Sequence, residues 1–402
     1  MGALSGLRIL LVSKFYRRGG GDCVHLLALE RLLRSKGHEV AVLTMSHPDN
    51  LPLPPGSFEV PRVMIDGTPV QKVRAAARVL GGGGVVAVAR RAMREFRPDI
   101  VHIHNIHSYL SPAVAVEAHK AGARVVWTLH DYKLVCPAYS FRRGGEVCER
   151  CLENPRSVVT TKCMKGSLAA SVLAYVEARR WNRKSIENVT DAFICPSAFM
   201  REKMIRGGFS ESKLHVLSNF LPDEMSEYAP GTRSGVCYVG RLSAEKGVRT
   251  LLEVASGSSW QLAVAGDGPE RKCLESIYAA CENIRFVGNL SVGEVHSLLR
   301  RSRLSVVPSE CYDNNPLAAI ESLCVGTPVV GAAIGGIPEL IGEGNGALFT
   351  PGDSVSLAEA IGGMLARDFD YSAIAAESRR RFSADSYYDA LQSIYLEKNG
   401  LL

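Results

Sequence analysis

Residues 306–321 read VVPSECYDNNPLAAIE. The apolar run 304–307 stops at Pro308, as a buried strand does, and a polar loop follows it. Asn315 and Pro316 then open a helix, because asparagine is a favoured N-cap and proline fits the first helical position, where its missing N–H has no intrahelical partner. The free N–H groups and positive dipole end of such a helix bind an anion without any special side chain.

Two carboxylates flank this helix start: Asp313 lies just before it and Glu321 about a turn and a half inside it. Carboxylates repel a phosphate, so we expect them to accept hydrogen bonds from hydroxyl groups instead. A phosphate together with hydroxyls indicates a sugar nucleotide. The stretch alone leaves open a plain proline-started helix whose carboxylates are solvated, and Glu310 is a second acid close by with a different spacing.

A second motif follows the predicted strand 235–240. Residues 240–247 read GRLSAEKG, which places two cations, Arg241 and Lys246, five residues apart at a strand's carboxyl end. Arginine offers a planar bidentate donor and lysine a point charge, so the two side chains can hold a pyrophosphate from different sides.

These two motifs resemble those of the retaining glycosyltransferases of family 4 (glycosyltransferase group 1). The resemblance covers nearly the whole chain and is most specific between residues 238 and 340. It implies an α/β protein of the GT-B fold, in which two Rossmann-like domains with parallel sheets face each other across a deep interdomain cleft.

The resemblance also implies roles for individual residues. Asp313 would contact the donor sugar, although the family usually has glutamate there, and Glu321 would bind the ribose. Arg241 and Lys246 would hold the diphosphate, and His130, after the strand 124–129, would contact the sugar near its reacting carbon. The remaining donor-binding positions are backbone or loop positions: Gly20, Gly21, Gly240, Gly266, Gly288, Asn289, Asn314, Asn315, Pro316 and Leu317.

The pattern of elements predicts three parts. Residues 1–221 form an N-terminal Rossmann-like acceptor domain, and residues 222–385 form the nucleotide-sugar donor domain. Residues 386–402 carry a last helix that, as in the family, crosses back to the first domain. The run 222–233, rich in proline, glycine and acids, is the predicted linker.

The first βαβ unit, which begins with the strand 7–12, lacks the G-x-G-x-x-G fingerprint, so a dinucleotide site there is not expected. His102 and His104 share one face of a strand, but no third metal ligand follows at a fitting spacing. We interpret them as core or loop histidines.

Four cysteines lie in a glycine- and arginine-rich insert at about residues 136–163. Cys136, Cys148, Cys151 and Cys163 are separated by a symmetric spacing around a C-x2-C centre. In a reducing compartment this pattern suggests a structural zinc ion, while free thiols and disulfides remain the alternatives. The other cysteines sit singly, mostly in apolar runs, as core residues do.

Composition describes a soluble globular protein: 46% of the 402 residues are hydrophobic and 22% are charged. The net charge of +6 is too small to predict nucleic-acid binding. No secretory signal or membrane span is recognisable, so we expect a cytoplasmic protein. The basic segment 70–97, split by the tetraglycine 81–84, could lie on an anionic membrane surface or be an ordinary solvated face.

The sequence therefore predicts a hexosyltransferase-type enzyme that moves a sugar from a nucleotide-diphosphate sugar, with retention, to a saccharide or lipid-linked hydroxyl acceptor in cell-surface polysaccharide or glycolipid synthesis. No D-x-D motif suits a metal-held donor, so no catalytic metal is expected. The alternatives are a sugar-nucleotide epimerase or a phosphorylase on the same fold, and a catalytically silent scaffold that binds sugar nucleotides.

Overall fold

The computed structural model describes residues 6–65, 67–221 and 231–397. Within these ranges the chain divides into two units. The first contains the residues up to Phe141, Cys148–Ser218 and the residues from Tyr387 onward, and the second contains Arg142–Val147 and Asn219–Ser386. Most of the predicted linker, residues 222–230, lies outside the described residues.

The first unit is built on a seven-stranded sheet whose strands are all parallel. Its strands are β1 Arg8–Val12, β2 Glu39–Met45, β3 Phe58–Val60, β4 Ile100–Ile103, β5 Arg124–Thr128, β8 Ala192–Cys195 and β9 Leu214–Val216. Between β5 and β8 in the sequence, β6 Arg142–Arg143 and β7 Glu146–Val147 form a small antiparallel hairpin that is grouped with the second unit. The sheet order is β3-β2-β1-β4-β5-β8-β9. The central strands β1, β4 and β5 are mostly apolar and buried along nearly their whole length, as expected where helices cover both faces of a parallel sheet.

Nine α-helices of the described chain belong to this unit or its insert: α1 Gly21–Ser35, α2 Pro69–Val79, α3 Val85–Glu95, α4 Ala113–Lys120, α5 Arg150–Glu153, α6 Ser157–Thr160, α7 Leu168–Arg180, α8 Arg183–Glu187 and α9 Ala198–Arg206. Helices α7 and α8 follow each other directly but are separate, because Trp181 is the C-cap of α7 and the Asn182 side chain caps α8.

The second unit contains a six-stranded parallel sheet. Its strands are β10 Val236–Val239, β11 Leu262–Ala265, β12 Ile284–Gly288, β13 Leu304–Val307, β14 Val329–Ala332 and β15 Gly346–Phe349. The order is β12-β11-β10-β13-β14-β15. Its helices are α10 Val248–Ser256, α11 Arg271–Ile277, α12 Val292–Arg301, α13 Leu317–Cys324, α14 Ser354–Ala366 and α15 Tyr371–Arg381.

The last helix, α16 (Ala384–Leu396), starts in the second unit, and its residues from Tyr387 onward belong to the first. Two of its tyrosines bond to histidines of the first unit: the Tyr395 hydroxyl lies 2.7 Å from His102 Nδ1, and the Tyr388 hydroxyl lies 2.8 Å from His38 Nε2. These two tyrosines of α16 are thus part of the first unit's core.

Strand order reverses direction once in each sheet, between β1 and β4 in the first and between β10 and β13 in the second. In open α/β sheets the loops after such a pair diverge to opposite faces and leave a crevice at the carboxyl ends of the strands. The predicted site residues of each unit follow these strands or their neighbours. None of the helices in the described ranges has the length and apolarity needed to cross a bilayer.

Candidate active site

The loop after β10 is tied to the loop after β11 by backbone hydrogen bonds. The Gly240 N–H donates to the Ala265 carbonyl at 3.0 Å, and the Leu242 N–H donates to the Asp267 carbonyl at 2.9 Å. A Cβ atom on Gly266 would lie 1.9 Å from the Gly240 carbonyl oxygen, so only glycine permits this approach. Two of the predicted donor-binding glycines therefore pack on each other and fix the position of the loop that carries Arg241.

The two predicted diphosphate-binding cations stand on this loop. The Arg241 side chain is exposed, while Lys246 ends a short 3-10 helix, Ala244–Lys246, and is half-buried. Gly247, with a φ of +62°, then turns the chain into α10; a Cβ there would lie 1.8 Å from the Pro308 carbonyl oxygen. The close approach holds Lys246 against the loop that follows β13.

Lys246 and Asp313 form an ion pair. The Lys246 Nζ atom lies 2.6 Å from Asp313 Oδ1, and the Ser309 hydroxyl donates to Asp313 Oδ2. Burial disfavours the charged lysine, but the charges of Asp313, Cys311 and Glu245 outweigh it and raise the pKa of Lys246. The structure thus brings together two residues that the sequence placed 67 positions apart, in the segments predicted to hold phosphate and sugar.

Asp313 is fixed from the backbone side as well. The Gly336 N–H donates to the Asp313 carbonyl at 2.7 Å, and a Cβ on Gly335 would lie 2.3 Å from that same oxygen. The alternative acid, Glu310, accepts a hydrogen bond from the Thr250 hydroxyl at 2.8 Å. Of the two acids, Asp313 is therefore the one that contacts Lys246.

Helix α13 begins one residue later than the sequence predicted. Its N-cap is Pro316 and its first residue is Leu317, and Asn315 is not the cap. The Asn315 side-chain oxygen instead accepts the Asn219 N–H at 2.8 Å, and the Asn219 side chain donates to the Asn315 carbonyl at 2.9 Å. The first N–H groups of α13, next to Asn314 and Asn315, still have no carbonyl partner within the helix.

Replacing Asn315 by alanine tests the contribution of its hydrogen bonds with Asn219 to stability. We expect the Asn315→Ala variant to lose about 1 kcal/mol of stability, because it removes the hydrogen bond to the half-buried Asn219 N–H. The melting temperature of the variant, compared with that of the wild type, measures the loss. The control is Asn289→Ala, which changes an exposed asparagine of the predicted donor site. Equal melting temperatures for the two variants would show that the Asn315–Asn219 hydrogen bonds do not contribute to stability.

Glu321 lies one and a half turns into α13 and is half-buried. Burial raises the pKa of its carboxyl group to about 7. No ion pair to Glu321 occurs in the described part of the chain. A buried acid with no cation beside it costs free energy, and such groups cluster at functional sites.

The loop after β12 carries the predicted base-binding pair. Gly288 is buried with a φ of +74°, its carbonyl accepts the Gly266 N–H at 2.8 Å, and the next residue, Asn289, is exposed. The Arg271 guanidinium lies within 3.4 Å of the place where a Gly288 Cβ would stand. Gly240, Gly266 and Gly288 thus come from three successive loops that are hydrogen-bonded in a row.

In the first unit His130 belongs to a cluster of buried imidazoles. Its Nε2 atom lies 3.0 Å from His104 Nδ1, and its ring contacts that of His25 with centroids 5.3 Å apart. Burial lowers the pKa of all three residues, and for His130 the charges of Asp22 and Asp131 partly oppose this shift. Burial therefore favours the neutral form of each imidazole.

His25 is a residue that sequence reasoning missed, as is Asp22; both lie in the first turns of α1. Asp22 accepts a hydrogen bond from the Asn105 side chain at 2.9 Å. Burial opposes its charge, but His130, Lys14 and the Asn105 bond outweigh this and lower its pKa. The sequence did contain a signal for these two residues, because both closely follow the glycine-rich turn. In the structure, Gly20 is the exposed N-cap of α1 and Gly21 is its first residue.

Both His102 and His104 are buried, as expected of core histidines, and His104 has two histidine neighbours that the spacing along the sequence did not indicate. Its ring nitrogen lies within 4.8 Å of ligand atoms of His25 and His130, and no other group of three or more such side chains is this compact in the described ranges. His102, in contrast, is bonded through both nitrogens, to Tyr395 and Thr128. Because His104 and His130 are hydrogen-bonded to each other, we interpret the cluster as hydrogen-bonded core histidines.

The chain was then compared with known proteins. The family profile described as Glycosyltransferase Family 4 matches residues 19–224, about half of the chain, and the profile described as Glycosyl transferases group 1 matches residues 224–387. The chain belongs to glycosyltransferase family 4. The two matches meet at residue 224, within the predicted linker.

Relatives of this family 4 chain act on diverse acceptors. The 2-deoxystreptamine N-acetyl-D-glucosaminyltransferase of Streptomyces fradiae is 28% identical over 85% of this chain and 82% of its own length. The phosphatidyl-myo-inositol mannosyltransferase of Mycobacterium leprae is 24% identical over 94% of this chain and 92% of its own. Among solved structures, HepE of Anabaena in complex with UDP-glucose has a TM-score of 0.69 at 17% identity, covering 96% of this chain and 99% of that one. This likeness, with the two parallel sheets, confirms the GT-B fold.

Proposed function

We propose that this glycosyltransferase takes its sugar from a nucleotide-diphosphate donor bound to the second unit. The observation that supports the proposal is the Lys246–Asp313 ion pair next to the start of α13, because a lysine can bind phosphate and a carboxylate can bind hydroxyls. We propose that Arg241 and the first N–H groups of α13 add positive charge to this site. Donor binding by HepE, which has the same fold, supports a sugar nucleotide as the ligand.

Each contact has a role in the transfer. Arg241, Lys246 and the α13 amides stabilise the negative charge that grows on the leaving diphosphate, in a site where they need no reorganisation. Asp313 binds sugar hydroxyls, Glu321 binds the ribose, and the loops at Gly240, Gly266 and Gly288–Asn289 receive the base. His130 contacts the transferred sugar, as the family resemblance implies.

The stereochemical course that we propose is retention. Departure of the nucleotide leaves an oxocarbenium-like sugar, and the acceptor hydroxyl attacks from the face that the diphosphate leaves. A phosphate oxygen then accepts the hydroxyl proton. Because lysine, arginine and the helix dipole supply the positive charge, no divalent cation is required.

The experiment that tests the function is a donor screen followed by product analysis. Thermal unfolding is measured with UDP-, GDP- and ADP-sugars, since a ligand that binds only the folded chain raises its melting temperature. The donor that stabilises the protein is then incubated with saccharide and lipid-linked acceptors, without added Mg²⁺ or Mn²⁺. Transfer with retained anomeric configuration supports the proposal. Donor epimerisation without acceptor would indicate an epimerase, strict dependence on free phosphate a phosphorylase, and binding without turnover a silent scaffold.

We further propose that α2 and its flanking loop lie on an anionic membrane surface and bring the enzyme to a lipid-linked acceptor. Val70 and Val73 are 62% and 69% exposed, and Met64 and Ile65 are exposed beside them. Two arginines, Arg62 and Arg74, line a cavity of about 240 Å³ next to these apolar side chains. Apolar groups beside cations suit the interface of an anionic bilayer.

One residue of the basic segment does not belong to this surface. Arg78 is fully buried, and its guanidinium donates to the carbonyls of Tyr109, Pro61 and Gly83. It therefore holds the glycine-rich turn between α2 and α3.

Vesicle binding tests the membrane proposal. We expect the Val70→Ser/Val73→Ser variant to bind phosphatidylglycerol vesicles about tenfold more weakly than the wild type, because two apolar side chains no longer insert. The control is Val292→Ser/Val355→Ser, whose valines are 68% and 66% exposed in the second unit. Equal sedimentation of all three proteins with vesicles contradicts the proposal.

A further inference from the structure

Helix α7 carries polar residues on its buried side. Ser171 is fully buried, and its hydroxyl oxygen accepts the Met164 N–H at 3.1 Å. The Glu177 carboxylate, also buried, pairs at 2.8 Å with the ammonium group of Lys133, which lies in the loop after β5. These partners fix which side of α7 faces the interior of the first unit.

The opposite side of α7 is exposed and carries an apolar row. Leu168, Val172 and Val176 follow one another at intervals of four residues and are 53%, 42% and 41% exposed. At 3.6 residues per turn, this spacing places the three side chains on one side of the helix. A soluble helix normally turns its apolar row toward the core and its polar residues toward water. The reversed arrangement in α7 therefore indicates a contact surface.

Positive charge flanks this apolar row. The stretch 156–181 contains five cations and one acid, and the acid is the buried Glu177. The Arg156 guanidinium donates to the Tyr175 hydroxyl of α7 at 3.2 Å, and the Met164 N–H bond to Ser171 holds the turn before the helix against it. The five cations are all exposed: Arg156, Lys162, Lys165, Arg179 and Arg180. The outer side of this stretch thus combines apolar side chains with positive charge alone.

An anionic lipid bilayer fits this surface better than a protein partner does. A stable protein–protein interface buries roughly 800 Å² on each side, whereas the apolar row offers three partly exposed side chains. A bilayer interface requires less, because a few apolar side chains insert at the level of the acyl boundary while lysine and arginine contact the lipid phosphates. The composition of the outer side of α7 matches this requirement.

Helix α7 also adjoins α2, the helix already proposed to contact the membrane. Its C-cap residue, Trp181, donates from Nε1 to the carbonyl of Val79, the last residue of α2, at 2.9 Å. A Cβ atom on Gly81 would lie 3.3 Å from the Trp181 ring, so the turn after α2 packs on the end of α7. The two helices are therefore neighbours within the first unit.

We propose that α7 lies in the headgroup region of an anionic bilayer, with Leu168, Val172 and Val176 inserted at the acyl boundary and the flanking cations at the lipid phosphates. This inference deepens the proposed membrane contact by adding a second helix, and it rests on the proposed function for its role of bringing the enzyme to a lipid-linked acceptor.

Vesicle sedimentation without donor or acceptor tests this surface separately from sugar transfer. We expect Leu168→Gln/Val172→Gln/Val176→Gln to bind phosphatidylglycerol vesicles at least about tenfold more weakly than the wild type, because glutamine maintains a helix but does not insert. The wild type should in turn bind phosphatidylcholine vesicles at least about tenfold more weakly than phosphatidylglycerol vesicles, because the cations lose their partners. Equal binding of the wild type to both lipids overturns the inference.

The matched control changes three exposed apolar residues on helices of the second unit: Ile277→Gln/Val292→Gln/Val355→Gln. It should bind vesicles like the wild type. Unchanged binding by the α7 variant overturns the inference, whatever the α2 variant does. Weakened binding by the α7 variant together with unchanged binding by the α2 variant supports the inference and removes α2 from the membrane surface.

A second measurement does not depend on the triple variant folding. In Val172→Trp, phosphatidylglycerol vesicles should shift the tryptophan emission to shorter wavelength, and brominated lipids should quench it, while Val292→Trp should show neither change. Absence of both changes in Val172→Trp overturns the inference. A wild-type dimer in sedimentation velocity that dissociates in the triple variant overturns it as well, because a second copy of the chain then covers the row.

Discussion

Replacing Lys246 by alanine is expected to reduce kcat/KM roughly 100- to 1,000-fold, with most of the loss in kcat. Removing one fixed electrostatic donor from a site of developing charge typically has an effect of this size. Lys246 is well placed for such a role, because it is half-buried and held 2.6 Å from Asp313 at the start of α13. Steady-state transfer assays with a saturating acceptor measure the change.

Two further variants separate chemistry from stability. Lys246→Ala leaves the Asp313 carboxylate, only 16% exposed, without its cation, and this destabilises the fold. The double variant Lys246→Ala/Asp313→Asn removes that charge, so its melting temperature should recover while its activity stays low. Arg249→Ala is the matched control, since this exposed cation three residues along pairs with Glu270 at 3.6 Å, and its rate should stay within about twofold of the wild type. Comparable rates for Lys246→Ala and Arg249→Ala would remove Lys246 from the mechanism.

Replacing Glu321 by glutamine is expected to stabilise the protein at pH 8 while weakening donor binding. Burial raises the pKa of this carboxyl from its ordinary value of 4.5 to about 7. Between these two pH values the folded chain holds a proton that the unfolded chain has lost, so the free energy of unfolding falls as pH rises through this window. Above pH 7 the penalty is complete, at roughly 3 kcal/mol.

Melting curves from pH 4 to pH 9 measure this effect. The wild type and Glu321→Gln should melt together near pH 4.5 and diverge up to about pH 7, where the variant melts roughly 5–10 °C higher. Donor affinity should change in the opposite direction, falling about 10- to 100-fold in the variant, because the ionised carboxylate accepts the stronger hydrogen bonds. Parallel melting curves at all pH values would mean that the carboxyl titrates normally.

For the wild type the same reasoning makes donor binding dependent on pH. Ribose hydroxyls bond best to the ionised form of Glu321, so donor affinity should rise as the pH passes through about 7. In Glu321→Gln this rise should vanish.

The second unit was the more predictable half because its motifs are local. Arg241, Lys246 and Asp313 each lie in a loop directly after a strand, and parallel strands align their carboxyl ends, so a contact between these loops follows from topology. The position of the α13 cap was missed because Asn315 bonds to Asn219, which lies 96 residues earlier in the chain. N-cap preferences depend on neighbouring residues only, so they cannot reveal a competing hydrogen-bond partner that is distant in the sequence.

The first unit was less predictable because its cluster is assembled from distant elements. His25 comes from α1, His104 from the end of β4 and His130 from the end of β5. Searching for ligands at fixed spacing along one strand finds His102 and His104, but only the sheet order places β1, β4 and β5 side by side. Arg78 was assigned to the basic surface for a similar reason, since its three carbonyl partners come from different loops.

The salt link between Lys246 and Asp313 has a consequence for turnover. Without a donor, the ammonium group is neutralised by the carboxylate, so a diphosphate that binds as we propose would have to displace Asp313 from it. In the proposed cycle, Asp313 would pair with the ammonium again as the nucleotide departs. We therefore expect the pairing to weaken product binding and to speed the return to the resting state.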